Sequence, residues 1–478
     1  MTLMKAMSRT LLLMRDEVHE SVTDETLLEA LTGTRVALIA DEANIASHSA
    51  QTTFVTTALL AARSAHHVTL ICPDLPMIGH QLPLAHGRLI TELVRAGGDL
   101  LPGQEFARQL LPDGVDIAIA LGNSEFVGLA NRCVRLNASA WSGRIAPESE
   151  ASLWEGGAWP LGAMAAAALA ATEVFKIAVR KLEPVARNSE RMKTVFADTE
   201  RLAFELAPPA TPLMSNLGSF DCISGGAITN AVLYALVRVP GVFGQGRIIE
   251  PEQGDLTNLN RYMLLLRSRI DLLKADDLAL QCEQAGIAMN ALPHRYERRH
   301  RDTLILADSV LVGVDDIPTR WEVQRARPEF LAIGATTHWS AMASYHEDDL
   351  GCAECLHPID DENDAPIPTV AFVSFWAGLL TATKFLMHRA GMLRLAQVQQ
   401  IYLTAFRAEN AVSSTVPKRV GCPSCGLKES VGIPLVSVAA NAEISMISIR
   451  SFKAGRMGSA RFAVVMNITF RRSKATPR

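Results

Sequence analysis

The feature that most constrains the fold of this chain is an alternation of strand-like and helix-like segments that occurs twice. In the first half, short apolar runs bounded by turn residues are each followed by a helical pattern, at residues 35–40, 68–72 and 115–120. Runs of the same kind return in the same order and with similar gaps at residues 220–223, 247–250 and 309–314. Strand-helix alternation is typical of a parallel sheet covered by helices. The chain is therefore predicted to be a tandem of two related α/β halves.

Domain limits follow from the same repeat. Each half ends in an apolar helical segment that follows a proline, at residues 160–176 and 368–385. The junction lies within 182–212, where a charged segment is followed by Ala-Pro-Pro-Ala-Thr-Pro. We predict two tandem Rossmann-like domains, residues 1–190 and 191–428, and a small C-terminal β segment at 429–478. That last segment shows period-two alternation of apolar residues, at Phe462, Val464, Met466, Ile468 and Phe470.

Composition narrows the functional class without naming a partner. Of the 478 residues, 49% are hydrophobic and 20% are charged, with a formal charge of −4. Such a chain lacks the basic excess that nucleic-acid binding requires. Its longest apolar stretches fall short of the roughly 20 residues that span a bilayer, and the run at 11–14 is too short for a signal-peptide core. We expect a cytoplasmic protein with neither nucleic acid nor membrane as a partner.

A small-residue turn in the second half is the first candidate for ligand binding. Gly225 and Gly226 follow the first strand of that half, and Glu250 ends the next strand. A glycine turn brings backbone N–H groups close to a phosphate or ribose, and an acidic residue at the next strand end can accept from ribose hydroxyls. The same pattern also fits an ordinary tight turn or a dehydrogenase.

The segment that separates these alternatives is Asp-Leu-Thr-Asn-Leu-Asn-Arg at 255–261, with Lys274 beyond it and Val-Asp-Asp at 314–316. In this ordered set the chain resembles the ThiF/MoeB and ubiquitin-activating enzyme superfamily, over roughly residues 216–426. The resemblance implies that Glu250 holds the ribose of ATP. It also implies that Asn258, Arg261 and Lys274 hold the ATP phosphates and that Asp315 binds magnesium. Where the family has GxGGxG, this chain has isoleucine at both outer glycine positions, 223 and 228.

The first half resembles the inactive half of two-domain activating enzymes. It has no Gly-Gly turn after Ala40 and nothing like Thr-Asn-Leu-Asn-Arg after Cys72, so we expect it not to bind ATP. In homodimeric relatives an N-terminal arginine reaches the active site of the other subunit. The matching residue here is Arg9, which is also consistent with a solvated surface arginine. The resemblance thus predicts an internal pseudo-dimer with one active site, and leaves further homo-oligomerisation open.

Four of the eight cysteines form two Cys-x-x-Cys pairs. The pairs are Cys352 with Cys355 and Cys422 with Cys425, and four thiolates close a tetrahedral structural zinc site. The resemblance to the superfamily implies that these four cysteines form a zinc clamp. Two pairs of inert thiols, or a site that has lost its metal, are the alternatives.

A thioester-forming cysteine is missing from its expected place. Relatives that form a thioester carry one about twelve residues after the second zinc cysteine, which gives Ile367 here, and residues 364–369 hold no cysteine. Either the enzyme stops at the acyl-adenylate, or Ala365 stands in for a nucleophile. The other thiols are Cys72, Cys133, Cys222 and Cys282. Core packing is expected for each, on strands for Cys72 and Cys222 and as buried or helical thiols for the other two.

The function that the resemblance implies is ATP- and magnesium-dependent adenylation of the C-terminal carboxylate of a ubiquitin-like protein. The product would pass to a thiol or to a conjugating enzyme, in a bacterial system resembling the Bil-type antiphage operons. A sulfur-transfer or peptide-modifying adenylyltransferase of the ThiF/MoeB kind is the second reading. A non-catalytic scaffold is the third.

Overall fold

A computed structural model describes residues 2–108, 114–126, 130–301, 303–359, 367–393 and 399–426. The predicted C-terminal β segment at 429–478 and the alanine at 365 lie outside these residues. Two sheets form the framework. The strands of the first sheet are β1 Arg35–Ile39, β2 His67–Ile71, β3 Phe106–Ala107, β4 Ile117–Leu121, β5 Cys133–Ala138, β6 Ser142–Pro147 and β7 Leu202–Glu205. Those of the second are β8 Asn216–Ile223, β9 Phe243–Ile249, β10 Ile287–Leu292, β11 Ser309–Val312, β12 Phe330–Thr337, β13 Ser340–His346, β14 Gln400–Thr404 and β15 Val412–Ser414.

The described residues form twelve α-helices, some of which have a counterpart in the other half. They are α1 Thr2–Val18, α2 Asp24–Thr32, α3 Glu42–Ile45, α4 His48–Arg63, α5 Leu89–Leu100, α6 Leu161–Arg180, α7 Ser189–Val195, α8 Ala227–Leu236, α9 Lys274–Gln284, α10 Ile317–Arg325, α11 Ala353–Leu356 and α12 Ala371–Arg389. In the first half α4 joins β1 to β2, as α8 joins β8 to β9 in the second. The late helices α6 and α12 also correspond, because each follows the sixth strand of its sheet.

The strand order repeats between the sheets. The first sheet runs β3-β2-β1-β4-β5-β6-β7, and the second runs β10-β9-β8-β11-β12-β13-β14 with β15 added at the end. In each sheet the first five strands in this order are parallel and the remaining strands antiparallel. The chain is therefore a mixed α/β protein with two parallel-rich sheets of matching topology. The first sheet includes β7, so it extends past residue 190, where the sequence analysis placed the boundary.

The two halves share one hydrophobic core. Helix α12 packs on α8, α4 packs on α6, and α6 meets α12 between the sheets. Close approach depends on small residues: a Cβ added to Gly378 of α12 would lie 2.4 Å from Ala231 of α8. Aromatic rings join the halves at the same place, since Phe175 of α6 lies 5.3 Å from Phe372 of α12 between ring centroids. The halves are therefore packed as one body.

Helix α6 is nearly continuous in alanine and other apolar residues. Within the described part of the chain it is the one helix long and apolar enough to cross a membrane by length and composition, and its apolar window is wholly buried by protein. This burial explains its composition, because a helix packed on all sides has no polar face.

Candidate functional site

A cleft opens at the carboxyl ends of β8, β9 and β11, the place where ligands bind in open α/β sheets. It encloses about 290 Å³. Six of the residues predicted to bind ATP line it, namely Arg9, Gly226, Glu250, Arg261, Lys274 and Asp315. These residues come from α1, from two strand-helix turns, from the loop after β9 and from the start of α9. The fold thus brings into one cleft positions that are far apart in the sequence.

The glycine turn is shaped around the glutamate at the next strand end. The N–H of Gly225 donates to Oε2 of Glu250 at 2.7 Å, and Oε1 of Glu250 accepts from the N–H of Glu252 at 2.9 Å. A Cβ on Gly225 would lie 3.0 Å from Cγ of Glu250 and from Cβ of Lys274. A side chain at 225 would therefore have to displace Glu250 or Lys274 by a few tenths of an ångström. Ser224 before it has a φ of +96°, a strained conformation for a side-chain-bearing residue.

The isoleucine at position 228 is accommodated by glycines on neighbouring strands. A Cβ on Gly334 of β12 would lie 2.6 Å from Cγ2 of Ile228, and one on Gly313 would lie 3.3 Å from its Cβ. The side chain of Ile228 therefore occupies space that is left free by the absence of side chains at Gly334 and at Gly313, which directly follows β11.

Lys274 begins α9 and is buried at the floor of the cleft. Its Nζ donates to Oε2 of the half-exposed Glu252 and lies 5.6 Å from the ring centroid of Tyr262. Burial lowers the pKa of Lys274, but Tyr262 and the carboxylates of Glu252 and Glu250 outweigh it, so the pKa is raised. The lysine is therefore a firmly held cation whose present partner is a surface carboxylate.

Two arginines predicted to bind ATP, Arg261 and Arg9, add to the positive wall of the cleft. Arg261 donates from Nη1 to the carbonyl of Thr257 at 2.5 Å and to Oδ1 of Asn260 at 2.9 Å. Burial lowers the pKa of Arg261, and the nearby cation of Arg9 lowers it further. Arg9 comes from α1, and its buried Nη1 has no hydrogen-bond partner in the part of the chain that the structure describes. An anion bound between these two desolvated cations would stabilise the charged form of both.

Asn258 and Asp315 are placed differently from each other. Asn258 does not line the cleft; its Oδ1 accepts from the N–H of Asp255 at 2.9 Å, in a reciprocal cap of a short 3-10 turn. It shapes the loop that carries Arg261. Asp315 follows β11 on an exposed lip of the cleft. Magnesium at nucleotide sites uses one or two carboxylates plus phosphate and water oxygens, and Asp315 fits that donor set.

Tyr262 and Arg320 also line the cleft, and the sequence analysis missed both. Tyr262 follows Arg261 directly, and its ring faces Lys274. Arg320 of α10 is buried and donates twice to the carbonyl of Val314, from Nη2 at 2.7 Å and Nε at 3.1 Å. Burial lowers the pKa of Arg320 to about 10. A basic residue one turn into the helix that follows Asp315 was the available signal.

The four paired cysteines form one cluster. The Sγ atoms of Cys352, Cys355, Cys422 and Cys425 all lie within 4.8 Å of one another. The closest separations are 3.4 to 3.6 Å, near the ~3.8 Å edge of a tetrahedron with Zn–S bonds of about 2.3 Å. The predicted four-cysteine site is thus confirmed as a cluster whose geometry fits zinc. It ties α11 to the segment that holds Cys422 and Cys425.

None of the four other thiols lines the cleft, whereas Ile367 does. Cys222 lies buried on β8 and Cys282 lies buried on α9. Two placements differ from expectation: Cys72 lies one residue beyond β2, and Cys133 begins β5 half-buried. Burial raises the pKa of Cys72 and of Cys282 to about 12, and it also raises the pKa of Cys133 and of Cys222. These thiols are poor nucleophiles where they stand.

Comparison with known proteins gives one family match. The model of the BilD N-terminal domain matches residues 35–193. An uncharacterised protein, y4jF of Sinorhizobium fredii, is 27% identical over 202 residues, which is 41% of this chain and 38% of that relative. The chain thus spans well under half the length of the curated relative that it matches.

Among solved structures, E. coli MccB with ATP aligns at a TM-score of 0.37 and 18% identity, over 44% of this chain and 66% of that chain. The microcin C7 biosynthetic enzyme MccB in complex with N-formylated MccA aligns at 0.38 and 14%, over 61% of this chain and 98% of that chain. Likenesses at this level carry no conclusion about activity. Residues 35–193 match the BilD N-terminal domain family, which confirms the predicted resemblance to the Bil ubiquitin-like conjugation system for that part of the chain.

Proposed function

We propose that this chain uses ATP and magnesium to adenylate the C-terminal carboxylate of a ubiquitin-like protein, in the cleft of the second half. The first half serves as an inactive pseudo-subunit that completes the site. The match of residues 35–193 to the BilD N-terminal domain supports this substrate class. Handover of the acyl group to a conjugating enzyme would follow.

One observation carries the proposal. Three cations, Arg9, Arg261 and Lys274, converge on a glycine turn at the carboxyl end of a parallel sheet, opposite the carboxylate of Asp315. A buried guanidinium nitrogen of Arg9 has no partner among the described residues. Buried polar groups are normally satisfied, so this nitrogen is available to an oxygen of an anion bound in the cleft.

The chemistry fits this set of side chains. The substrate carboxylate attacks the α-phosphorus, a new O–P bond forms, and the bond from the α-phosphorus to the bridging oxygen breaks with its electron pair leaving on pyrophosphate. The nucleophile is already an anion, so no general base is required. Glu250 holds the ribose, and Lys274, Arg261 and Arg9 neutralise charge that grows on the leaving group. A magnesium ion held by Asp315 would add positive charge beside the phosphates.

Exchange of labelled pyrophosphate into ATP tests the reaction directly. The chain is incubated with MgATP, pyrophosphate and candidate ubiquitin-like proteins, each with an intact or truncated C-terminus. Exchange with intact carriers alone is the expected result. No exchange with any carrier, together with no binding of MgATP, would favour the scaffold reading instead.

The absence of a cysteine at the position where related enzymes form a thioester favours a second candidate function. Because no cysteine lines the cleft among the described residues, adenylation without a covalent intermediate would also suit an adenylyltransferase for sulfur transfer or peptide modification. We expect intact mass analysis to show acyl-adenylate without a thiol-sensitive adduct on the chain. Ala365→Cys distinguishes a replaced nucleophile, which should give such an adduct, from an enzyme that naturally lacks one.

A further inference from the structure

Arg63 crosses from the first half into the second. It ends α4, its side chain is completely buried, and its guanidinium lies against backbone carbonyls of the other half. Nη1 donates to the carbonyl of Leu259 at 2.6 Å, and Nη2 donates to those of Leu265 at 2.8 Å and Met263 at 3.2 Å. One side chain thus holds three carbonyls of a single segment.

That segment is the phosphate loop, residues 255–266, which carries Arg261 and Tyr262. The described loop contains one short 3-10 turn at Leu256–Asn258 and is otherwise irregular. A loop without a helical or strand ladder takes its shape from what its backbone groups bind. A second tie comes from α1, where Thr10 Oγ1 accepts from Nδ2 of Asn260 at 2.8 Å. Both ties come from the first half, and they flank Arg261.

The pseudo-symmetric counterpart of Arg63 is Arg238. It follows α8 as Arg63 ends α4, it is also fully buried, and it also crosses between the halves. Its Nη2 donates to the carbonyl of Leu82 at 2.5 Å, in the loop after β2. That loop corresponds to the phosphate loop in topology, but no residue of it lines the cleft. The two arginines therefore offer the same kind of buried contact, one on the proposed active loop and one on its counterpart.

We propose that Arg63 is a positioning residue, through which the inactive half sets the conformation of the phosphate loop and the reach of Arg261. The inference rests on the proposed function for its consequence in catalysis. The first half then contributes more than Arg9: it supplies the contacts to the carbonyls of Leu259, Met263 and Leu265, while Asn230 and Gln281 of the second half bind the backbone of Leu264. The active cleft would be incomplete in an isolated second half.

The physical basis is a set of hydrogen bonds from a charged donor in a dry place. Such bonds are shorter and stronger than neutral ones, and deleting the donor leaves several buried carbonyls unsatisfied. Burial lowers the pKa of Arg63 to about 9, so the side chain remains charged at neutral pH. A shift of about 1 Å in a charged group at a transition state can cost on the order of 100-fold in rate.

The test compares Arg63→Ala, Arg63→Lys and Arg238→Ala in the full chain. Binding of MgATP is measured by calorimetry, stability by thermal unfolding, and loop order by hydrogen exchange of amides in 255–266 and in 73–88. Arg63→Ala should weaken MgATP binding roughly 10- to 100-fold, the loss expected when one charged hydrogen-bond donor no longer reaches the nucleotide, and should speed exchange in 255–266. Arg63→Lys, which keeps one cationic donor group, should recover part of the binding. Arg238→Ala should lower stability comparably and speed exchange in 73–88, with MgATP binding unchanged.

Equal losses of MgATP binding in Arg63→Ala and Arg238→Ala would overturn the proposal, because both would then act only through stability. Unchanged exchange in 255–266 in a folded Arg63 variant would overturn it as well. If Arg63→Ala does not fold, the comparison of Arg63→Lys with Arg238→Ala decides in the same way. If the unmodified chain binds no MgATP, the proposed function fails, while the exchange data still test the support of the loop.

Discussion

The two halves of this chain share a topology, and among the described residues the cleft that gathers the predicted ATP-binding side chains lies at the strand ends of the second half. The backbones correspond closely there: the N–H of Ala40 donates to the carbonyl of Ile71 at 3.0 Å, and the N–H of Ser224 donates to that of Ile249 at the same distance. The side chains that follow these positions differ throughout. In the first half, Asp41 stands where the second half has Gly225, and Cys72 stands where it has Glu250. Likewise Leu89 corresponds to Lys274, and Asn123 corresponds to Asp315. The shared fold therefore supplies a place for a site, and a few side chains decide whether one exists.

In the first half the corresponding space is occupied by protein. Oδ1 of Asn44 accepts from the N–H of Trp154 at 2.9 Å, and Nε1 of that tryptophan donates to Oγ of Ser49 at 3.0 Å. A Cβ on Gly122 would lie only 2.0 Å from Oδ1 of Asn44. The segment before α6 thus lies across the strand ends of the first sheet, as expected if this half is the inactive pseudo-subunit proposed above.

The largest expected difference between the halves concerns the four-cysteine cluster, which lies in the second half. Cys352→Ser with Cys355→Ser should abolish zinc binding and lower stability strongly, since structural zinc contributes on the order of 10 kcal/mol in small domains. Metal analysis of the intact chain should find one zinc per chain, and thermal unfolding should show the loss. Cys133→Ser in the first half is the matched control. Intact protein without zinc would contradict this reading.

A second contrast lies in the cations that are proposed to bind phosphate. Arg261→Ala or Lys274→Ala should lower pyrophosphate exchange by roughly two to three orders of magnitude, because each side chain neutralises charge that develops in the transition state. Asn123→Ala, at the first-half counterpart of Asp315, should leave exchange unchanged. Calorimetry should give one MgATP per chain. Two bound nucleotides, or a large effect of Asn123→Ala, would break the contrast between the halves.

Acid should destabilise both halves alike. His66 and His346 are fully buried, one in each half, and burial lowers the pKa of each to about 4. The unfolded chain then binds more protons between pH 6.5 and 4, so stability falls as pH falls through this window. At pH 5 the loss should be about 2 kcal/mol per histidine. Urea unfolding at pH 7.5 and 5 measures it, and His66→Gln and His346→Gln should each remove a similar share. A change in only one variant would show that the halves respond unequally.

The smallest effect concerns Glu252, which pairs with the buried Lys274 in the cleft, whereas its first-half counterpart Asp74 pairs with the exposed Arg88. An exposed carboxylate competes only weakly with phosphate for the lysine. Glu252→Gln should therefore tighten MgATP binding by roughly two- to five-fold, an effect of the size expected for an exposed ion pair. Calorimetry against Glu283→Gln, a control elsewhere on the second half, measures it. Weaker binding in Glu252→Gln would instead assign Glu252 a part in holding the nucleotide.

Much of the fold was predictable because periodicity and turn residues report local structure. The apolar runs that begin at Arg35 and Ser309 became β1 and β11, and the prolines at 160 and 368 precede α6 and α12 as expected. The placement of single residues was less certain. Cys72 fell just beyond its strand, and Asn258 turned into its own loop instead of facing the cleft, because side-chain direction depends on neighbours that are distant in sequence.

By itself the sequence determined the doubling of an α/β unit, the motif that runs from Glu250 to Asp315, and the pairing of the cysteines, since each depends on spacing along the chain. Only the tertiary structure decided that Arg9 reaches the cleft of the other half, that Trp154 fills the first-half site, and that Arg63 binds the carbonyls around Arg261. The physical reason is that these contacts join residues far apart in the chain. They exist because two parallel-rich sheets pack through α6 and α12, and packing of that kind leaves no local pattern to read.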